Sequence, residues 1–509
     1  MGIKRFFATE DNTITNAFKS NLITRASGSN MGASDILEVF SIYAQTSSSA
    51  GLSTEESRAI INFNITSSAE SSILSQRTAG NIPVSGSVAF YLKLYNAAHG
   101  QTLPIDYNIQ VAALTKSWGE GYGLDMDEYL DPGTGSGGFG STWVSSSNTL
   151  GQPWDSEGAD ISTNTNFQYT YAIGENGAKD VLVDISNLVE HWILGTAELE
   201  GTNGLIVRIS PTSAAESQSF YTKKFFARGS EFFFKRPVIE ARWNSAIKDD
   251  AGNFCLSSSL APASDNLNTL YLYNYIKGTK TNIPSVGTSK ILLSVYSGSS
   301  DNSAPSTTVM ALPVGGGVAT VGDTNVTGGW VSAGVYSASF AYTSSAVTPF
   351  FPVWHSASTQ YVTGCAIDVN NCFSGQCSDL YPNYVSKITN LQPAYNKNDK
   401  VRFRLYARPK NWSPTIYTVA STAIETSIIE DAYYKILRVA DNLDVVPFGT
   451  GSEQHTLFSY DTQGNYFDLD MSMLQEDFTY GIKFIFKFDG KYREQKELFK
   501  FRVEREEME

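Results

Sequence analysis

Short apolar runs recur along this chain, each soon broken by Gly, Ser, Asn or Pro, and they constrain it to β-structure. The run "SVAFYLKLYNA" (87–97) sets the pattern. Val88, Phe90, Leu92 and Leu94 occupy alternate positions, which a strand turns to one side and a helix scatters. "SDILEVF" (34–40), "RAIINFNI" (58–65) and "YNIQVAAL" (107–114) are further runs of this kind. "FQYTYAI", "KDVLVDI", "NGLIVRIS" and "PVIEARW" follow, with a long Gly- and Ser-rich loop at 119–160 between the two groups. Loops of that length in a compact domain are usually functional or lie on an interface.

At 509 residues the chain exceeds what one core organises, so several domains are expected. Apolar residues at 41% suffice for such cores, and 13% aromatics with only 17% charged residues argue against disorder. A polar linker, "NSAIKDDAGNFCLSSSLAPASDN" (244–266), closes the first region. Beyond it "NTLYLYNYI", "KILLSVYS" and "AGVYSASFAYT" have the spacing of an immunoglobulin-like sandwich. The last region opens with "KVRFRLYARPKNWSPTIY", where Val401, Phe403 and Leu405 face inward and Arg402 and Arg404 share the other face. Near its end, Asp489-Gly490 between alternating runs predicts a two-residue hairpin, since a type I′ turn needs positive φ twice. The expected domains are therefore 1–245, 246–385 with a Cys-containing connector, and 386–509, all of them β-sandwiches.

One stretch breaks the rule. In "DVLVDISNLVEHWILG" (180–195), Ile185, Leu188, Val189, Trp192 and Ile193 fall three or four apart, predicting a two-turn helix. Asp184 or Ser186 is placed to cap it and Gly195 to end it. Glu190-His191 has the composition of an acid/base pair, but no partner nucleophile or second carboxylate is apparent in the sequence. Trp192 lies on the apolar stripe, so packing is the expected role.

Several residue groups carry potential chemistry. Asp125, Asp127, Glu128 and Asp131 in "LDMDEYLD" have the ligands for Ca²⁺ but miss the EF-hand pattern at Tyr129 and Leu130, so a solvated acidic loop is expected. Trp118, Trp143 and Trp154 flank the long loop and could stack on sugar rings, although core positions account for them better. Arg402, Arg404 and Arg408 form a basic strip suited to an anionic glycan or to cross-strand carboxylates, the second being expected. Of four cysteines, Cys255 stands alone while Cys365, Cys372 and Cys377 cluster. Their spacing misses paired zinc knuckles even with His355 as a fourth ligand, a disulfide within the cluster is an alternative, and reduced thiols are the default. "FGTGSEQH" has a Gly-x-Gly without P-loop or dinucleotide spacing. No catalytic, cofactor-binding or metal residues are assigned, and no cofactor is expected.

A net charge of −14 argues against general binding to nucleic acid, and no apolar run is long enough to insert in a membrane. The N-terminus has neither a signal peptide's h-region nor a myristoylation pattern, so synthesis in a cytoplasm without export by the usual route is expected.

Two resemblances add to this reading. "SNMGASDILEVF", "SRAIINFNI", "SVAFYLKLY", "LTKSWGEG", "STWVSSS", "GQPWDSEGAD" and the helical stretch followed by "NGLIVRIS" resemble, in order, the elements of the DNRLRE-type β-sandwich module. That module is a jelly-roll relative of carbohydrate-binding modules, and the resemblance covers most of 1–245, with an insertion at 121–140. "YARPKNWSPTIYT", "VVPFGTGSEQHT", "SYDTQGNYFDLDMSML" and "YGIKFIF" resemble virion structural proteins of marine T4-like tailed phages, cyanophages included, over roughly 330–509. The fold class implied is all-β: a jelly-roll-like β-sandwich followed by two smaller immunoglobulin-like sandwiches. The function implied is a non-enzymatic virion component of the tail, baseplate, neck or a fibre. It would assemble with other virion proteins and with copies of itself. The alternative is an adhesin for host-surface glycan, or, less favoured, a glycan depolymerase.

Overall fold

The computed structural model describes residues 2–505 except 49–50, 99–105, 125–139, 147–151, 175–176, 196–200, 215–219, 299–307, 321, 344–348, 357–358, 372–382, 413–415 and 417–425. The chain is all-β and divides into two compact units. One holds Gly2–Asn244 together with Gly451–His455, and the other holds Ser245–Thr450 together with Thr456–Glu509.

In the first unit the strands are β1 (Ile3–Thr15), β2 (Ile36–Ser48), β3 (Gly51–Phe63), β4 (Ala89–Leu94) and β5 (Asn108–Ala113). They continue with β6 (Gln168–Ala172), β7 (Val181–Asp184), β8 (Leu205–Ile209), β9 (Phe220–Phe226) and β10 (Val238–Arg242). Strand β1 serves two layers: Ile3–Phe7 pairs with β10, and Ala8–Thr15 pairs with β3 after a register shift between Ala8 and Glu10. The layers are β1-β10-β4-β7 and β3-β8-β5-β6, with β2 pairing both β3 and β9. Setting the β2–β9 pair aside, these are the strand orders of a jelly roll.

The core lies between the layers. Phe90, Leu92 and Leu94 of β4 meet Ile61, Val111, Val207 and their neighbours there, as the alternation at 87–97 requires. The second layer is also covered on its other side. Ile14, Ile60, Ala112 and Ile206 sit between the positions that face the main core and cluster with Trp118, Trp143 and Trp154. Burial on both faces explains why "AIINF", "QVAAL" and "LIVRI" are almost continuously apolar.

Helix α1 (Ile73–Thr78) and helix α2 (Ser186–Leu194) are short elements of this unit. The N-cap of α2 is Ile185, one residue from the two candidates, and no side chain caps it. Asp184 instead accepts from Ser186 N at 2.9 Å and Ser186 Oγ at 2.6 Å. Gly195 ends the helix as expected, in the left-handed conformation at φ 62°. Ile185, Leu188, Val189 and Trp192 are buried in the main core.

In the second unit the strands begin with β11 (Asn268–Tyr273), β12 (Tyr275–Ile276), β13 (Thr279–Lys280) and β14 (Ile291–Ser297). Then come β15 (Val326–Ser332), β16 (Val335–Phe340), β17 (Phe350–Ser356) and β18 (Thr359–Thr363). Their order is β11-β16-β15-β14-β17-β18, and β15 changes partner midway, from β14 at Val326–Gly328 to β16 from Gly329. The remaining strands are β19 (Tyr384–Ile388), β20 (Ala394–Asn396), β21 (Lys400–Pro409), β22 (Ala432–Arg438) and β23 (Leu443–Val446). They end with β24 (Ser459–Asp461), β25 (Gly464–Asp470), β26 (Thr479–Phe488), β27 (Lys491–Glu494) and β28 (Phe499–Glu504). These form sheets β19-β21-β25-β24 and β20-β28-β26-β22-β23, and rings such as Phe403, Tyr434, Phe458, Phe467 and Phe484 pack together in the core. Asp489 and Gly490 have φ of 47° and 74° between β26 and β27, the turn expected from the sequence.

Trp192→Ala should cost the first unit about 3–5 kcal/mol, the usual scale for emptying a large aromatic site. His191→Ala should stay within about 1 kcal/mol. Denaturant titration of both variants checks the contrast, and a stable Trp192→Ala unit would refute it.

Candidate functional site

Most residues that suggest chemistry in the sequence are internal braces in the fold. Glu190 forms a bidentate ion pair with Arg77 of α1, both contacts at 2.6 Å. His191 sets its Nδ1 2.8 Å from Asn187 O and its ring edge against Phe167. Trp118, Trp143 and Trp154 are 5–9% exposed, so they form a second core rather than a sugar-stacking platform. Arg402 pairs with Asp468 at 2.8 and 3.0 Å, and Arg404 pairs with Asp461 at 2.7 and 2.9 Å. Both guanidinium groups lie over the Tyr466 ring, and Arg408 lies over Trp412. The basic strip is thus largely neutralised across the strands.

Cysteine chemistry departs from expectation. Cys255 is disulfide-bonded rather than alone, whereas Cys365 is a free, exposed thiol. His355 is engaged by Ser294 Oγ at 2.9 Å. Cys372, Cys377 and the acidic residues 125–131 lie outside the described residues. Among the described residues no group of three or more His, Cys, Asp or Glu is arranged to hold a metal.

The polar elements quoted for the module resemblance meet in one part-buried network. Asp11 N donates to Glu120 Oε1 at 3.0 Å, and Arg228 grips both Glu120 oxygens at 2.8 Å. Asn12 donates to Ser141 and accepts from Met31 N, while Asn30 accepts from Gly123 N. Gly121 is required here, because a Cβ would sit 2.2 Å from Asn30 Oδ1. Burial, aided by the Glu120 charge, pushes Asp11 up to about 7 despite the amide bond from Arg228.

A groove on the β1-β10-β4-β7 layer emerges only in the fold. Register places Arg5, Glu240, Tyr91 and Asp184 in one row across the four strands. Glu240 is fully buried between Arg5 at 2.9 Å and Arg242 at 2.6 Å. Burial alone would raise its pKa, but Arg5, Lys93 and Arg242 outweigh that and hold it at about 2. Arg242 also lies 4.8 Å over the Tyr91 ring. The Tyr91 hydroxyl donates to Glu453 Oε1 at 2.6 Å, and burial with that carboxylate beside it raises the phenol's pKa. A cavity of about 310 Å³ opens there, lined by Ser87, Tyr91, Asp184, Arg242, Trp243 and Glu453. Alternation hinted at part of this, since Tyr91 and Lys93 must face away from the core of 87–97. The strand neighbours and Glu453 are set by tertiary pairing alone.

A second carboxylate site joins the two sandwiches of the second unit. Tyr460 N donates to Ile247 O at 2.9 Å and Asp249 N to Tyr460 O at 3.1 Å, so the linker runs beside β24. Asp250 accepts from Thr269 N of β11 at 2.6 Å and from the Tyr460 hydroxyl at 2.8 Å. Burial, reinforced by Asp250 and Asp461, pushes Asp249 up to about 7 against the backbone bonds from Ala251 and Tyr271.

No protein-family model and no curated protein matches the chain. Among solved structures, tandem Ig repeats of Dlar match at 10% identity and TM-score 0.13, covering 42% of this chain and 83% of that one. The titin domains z1z2 in complex with telethonin match at 11% identity and TM-score 0.14, covering 50% and 91%. Dscam1 isoform 9.44, N-terminal four Ig domains with zinc, matches at 10% identity and TM-score 0.12, covering 42% and 43%.

The raised carboxylates make stability pH-dependent. Asp11 and Asp249 stand at about 7 against an ordinary 3.8, so the folded state holds their protons more tightly than the unfolded chain. The stability this confers is fully present below about pH 4 and lost as pH rises to about 7. Glu240 has the opposite sign, its contribution present above 4.5 and lost as pH falls toward 2. Stability against chemical denaturant should therefore peak near about pH 4–5. Asp249→Asn should flatten the neutral-side slope of the second unit alone, and a wild-type profile flat from about pH 4 to 7 would contradict this assignment. Glu240→Ala leaves two arginines buried without their carboxylate and should cost about 3–5 kcal/mol.

Proposed function

We propose that this chain is a non-enzymatic structural component of a tailed-phage virion, working by protein–protein assembly. The observation that carries the reading is how the fold uses its polar and aromatic side chains. Glu190, Arg402, Arg404 and the three loop tryptophans are committed to cross-bracing sandwiches, which suits a mechanical scaffold. The resemblance of 330–509 to virion structural proteins supports the particle as its setting.

Docking needs exposed apolar surface, and one end of the β11–β18 sandwich supplies it. Asn282 accepts from Trp330 Nε1 and from Gly334 N, drawing the β12–β13 and β15–β16 hairpins together. Tyr275, Ile276, Trp330 and Val331 stand 40–55% exposed there. Half-exposed aromatic and β-branched side chains of this kind are typical interface anchors. Repetition within a virion makes copies of the same chain natural partners alongside other virion proteins.

Mass spectrometry and antibody labelling of purified particles should find the chain in the virion, and its absence from them would overturn the proposal. Trp330→Asp should lower incorporation about tenfold while leaving the fold intact, as loss of an interface anchor does. A glycan adhesin built on Trp118, Trp143 and Trp154 is not favoured, because those rings are buried.

A further inference from the structure

We infer that the seam between the two sandwiches of the second unit is a pH-sensitive latch. Two adjacent aspartates hold it shut in acid and let it open, with both sandwiches still folded, as the medium turns neutral.

Each aspartate is bonded to both sandwiches. Asp249 N donates to Tyr460 O of β24 at 3.1 Å, while the Asp249 carboxyl accepts from Tyr271 N of β11. Asp250 accepts from Thr269 N of β11 and from the Tyr460 hydroxyl, so it straps the same two strands. Strand β11 turns Leu270 and Leu272 into its own core, which leaves Thr269, Tyr271 and Tyr273 on the seam. Tyr273 hydrogen-bonds the Tyr466 side chain of β25 across it. The backbones come close at Gly252, where a Cβ would sit 2.7 Å from Thr462 Cα. The apolar cluster of the β11–β18 sandwich runs from Ala251 to Val369 and takes no described residue from the last sandwich. The seam can therefore part without emptying that core.

Charge decides whether the latch holds. Asp249 is only 5% exposed, and its charged neighbours are Asp250 and Lys248 on the linker, Asp461 on β24 and, behind that, Arg404 on β21. Lys248 is directed at Asp431, 3.6 Å away, and Arg404 at Asp461, 2.7 Å away. Among the described residues no cation pairs with Asp249. Glu430 adds a further negative charge at Tyr460. Tyr271, Tyr273, Tyr460 and Tyr466 all have raised pKa values and stay neutral through the acid-to-neutral range. Ionising Asp249 thus sets two adjacent carboxylates in a buried seam with Asp461 beside them, and opening the seam returns them to water. Burial raises both aspartates despite their backbone bonds, Asp249 to about 7. The closed seam holds the Asp249 proton more tightly than the open one. Its advantage is complete below about pH 4 and shrinks by up to about tenfold per pH unit as pH rises to about 7.

Hydrogen-exchange mass spectrometry on the full chain, corrected for the intrinsic pH dependence of exchange, tests the latch. The seam amides of Asp249, Thr269 and Tyr460 should lose protection by up to about tenfold per pH unit between about pH 4 and 7. At pH 7 they should exchange at least about tenfold faster than the core amides of Leu293 and Phe484, because the seam opens while both sandwiches stay folded. Asp249→Asn keeps the acceptor and removes the charge, so it should hold the seam shut and flatten the profile. Tyr460→Phe removes one strap and keeps the ring. It should speed seam exchange about tenfold, the loss of one charged hydrogen bond, and it keeps the test open if Asp249→Asn misfolds. Seam and core amides exchanging at one common rate at pH 7 would overturn the latch. So would a flat wild-type profile, an Asp249→Asn profile like that of the wild type, or seam exchange indifferent to Tyr460→Phe. Failure here would leave the presence of the chain in the virion untouched, so the two proposals stand or fall separately.

Discussion

The first sandwich depends on a single strand pairing in both layers. Because Ile3–Phe7 pairs with β10 and Ala8–Thr15 with β3, the register shift at Ala8 and Glu10 couples the two sheets covalently. A slip in either would turn the core-facing set of β1 toward solvent. The same device recurs at β15, whose halves pair with β14 and β16. Strands shared in this way tie two layers together through the backbone itself. They also position the polar rows, since the groove row begins at Arg5 on the first half of β1.

Layering extends beyond two sheets. The Gly- and Ser-rich segment after β5 would ordinarily pass for a solvent loop, yet its tryptophans roof the β3-β8-β5 sheet. Trp118 and Trp154 each find a backbone carbonyl for the indole N–H, at Asn203 and Thr142 respectively. That satisfies the polar end of a buried indole, which would otherwise cost the fold. The residues behind the module resemblance therefore have an evident physical reason to be where they are. Asn30, Glu120 and Gly121 lock the roof to the strand that opens the domain.

Much of this was legible in the sequence. Strand alternation at 87–97, the helix ending at Gly195, the Asp489-Gly490 turn and the outward arginines at 402 and 404 are local patterns, and local geometry decides them. What escaped was non-local. The Asp249–Tyr460 contact joins residues more than two hundred positions apart, and the groove unites β4, β7 and β10 with Glu453. The disulfide at Cys255 escaped for the same reason, because spacing speaks only of near neighbours. The helix cap was missed by one position, as Asp184 bonds the first turn from outside it.

The paired arginines on β21 have a consequence for the medium in which such a chain can work. Each guanidinium touches its carboxylate at 2.7–3.0 Å and rests on the same phenol ring. In concentrated salt the Debye length shrinks to about 3 Å, so long-range attraction between surface charges disappears. Contacts this short, with geometry fixed by two bonds and a ring face, lose the least. A face braced in this way should hold its shape in brine while offering passing ions and polyelectrolytes almost nothing to grip.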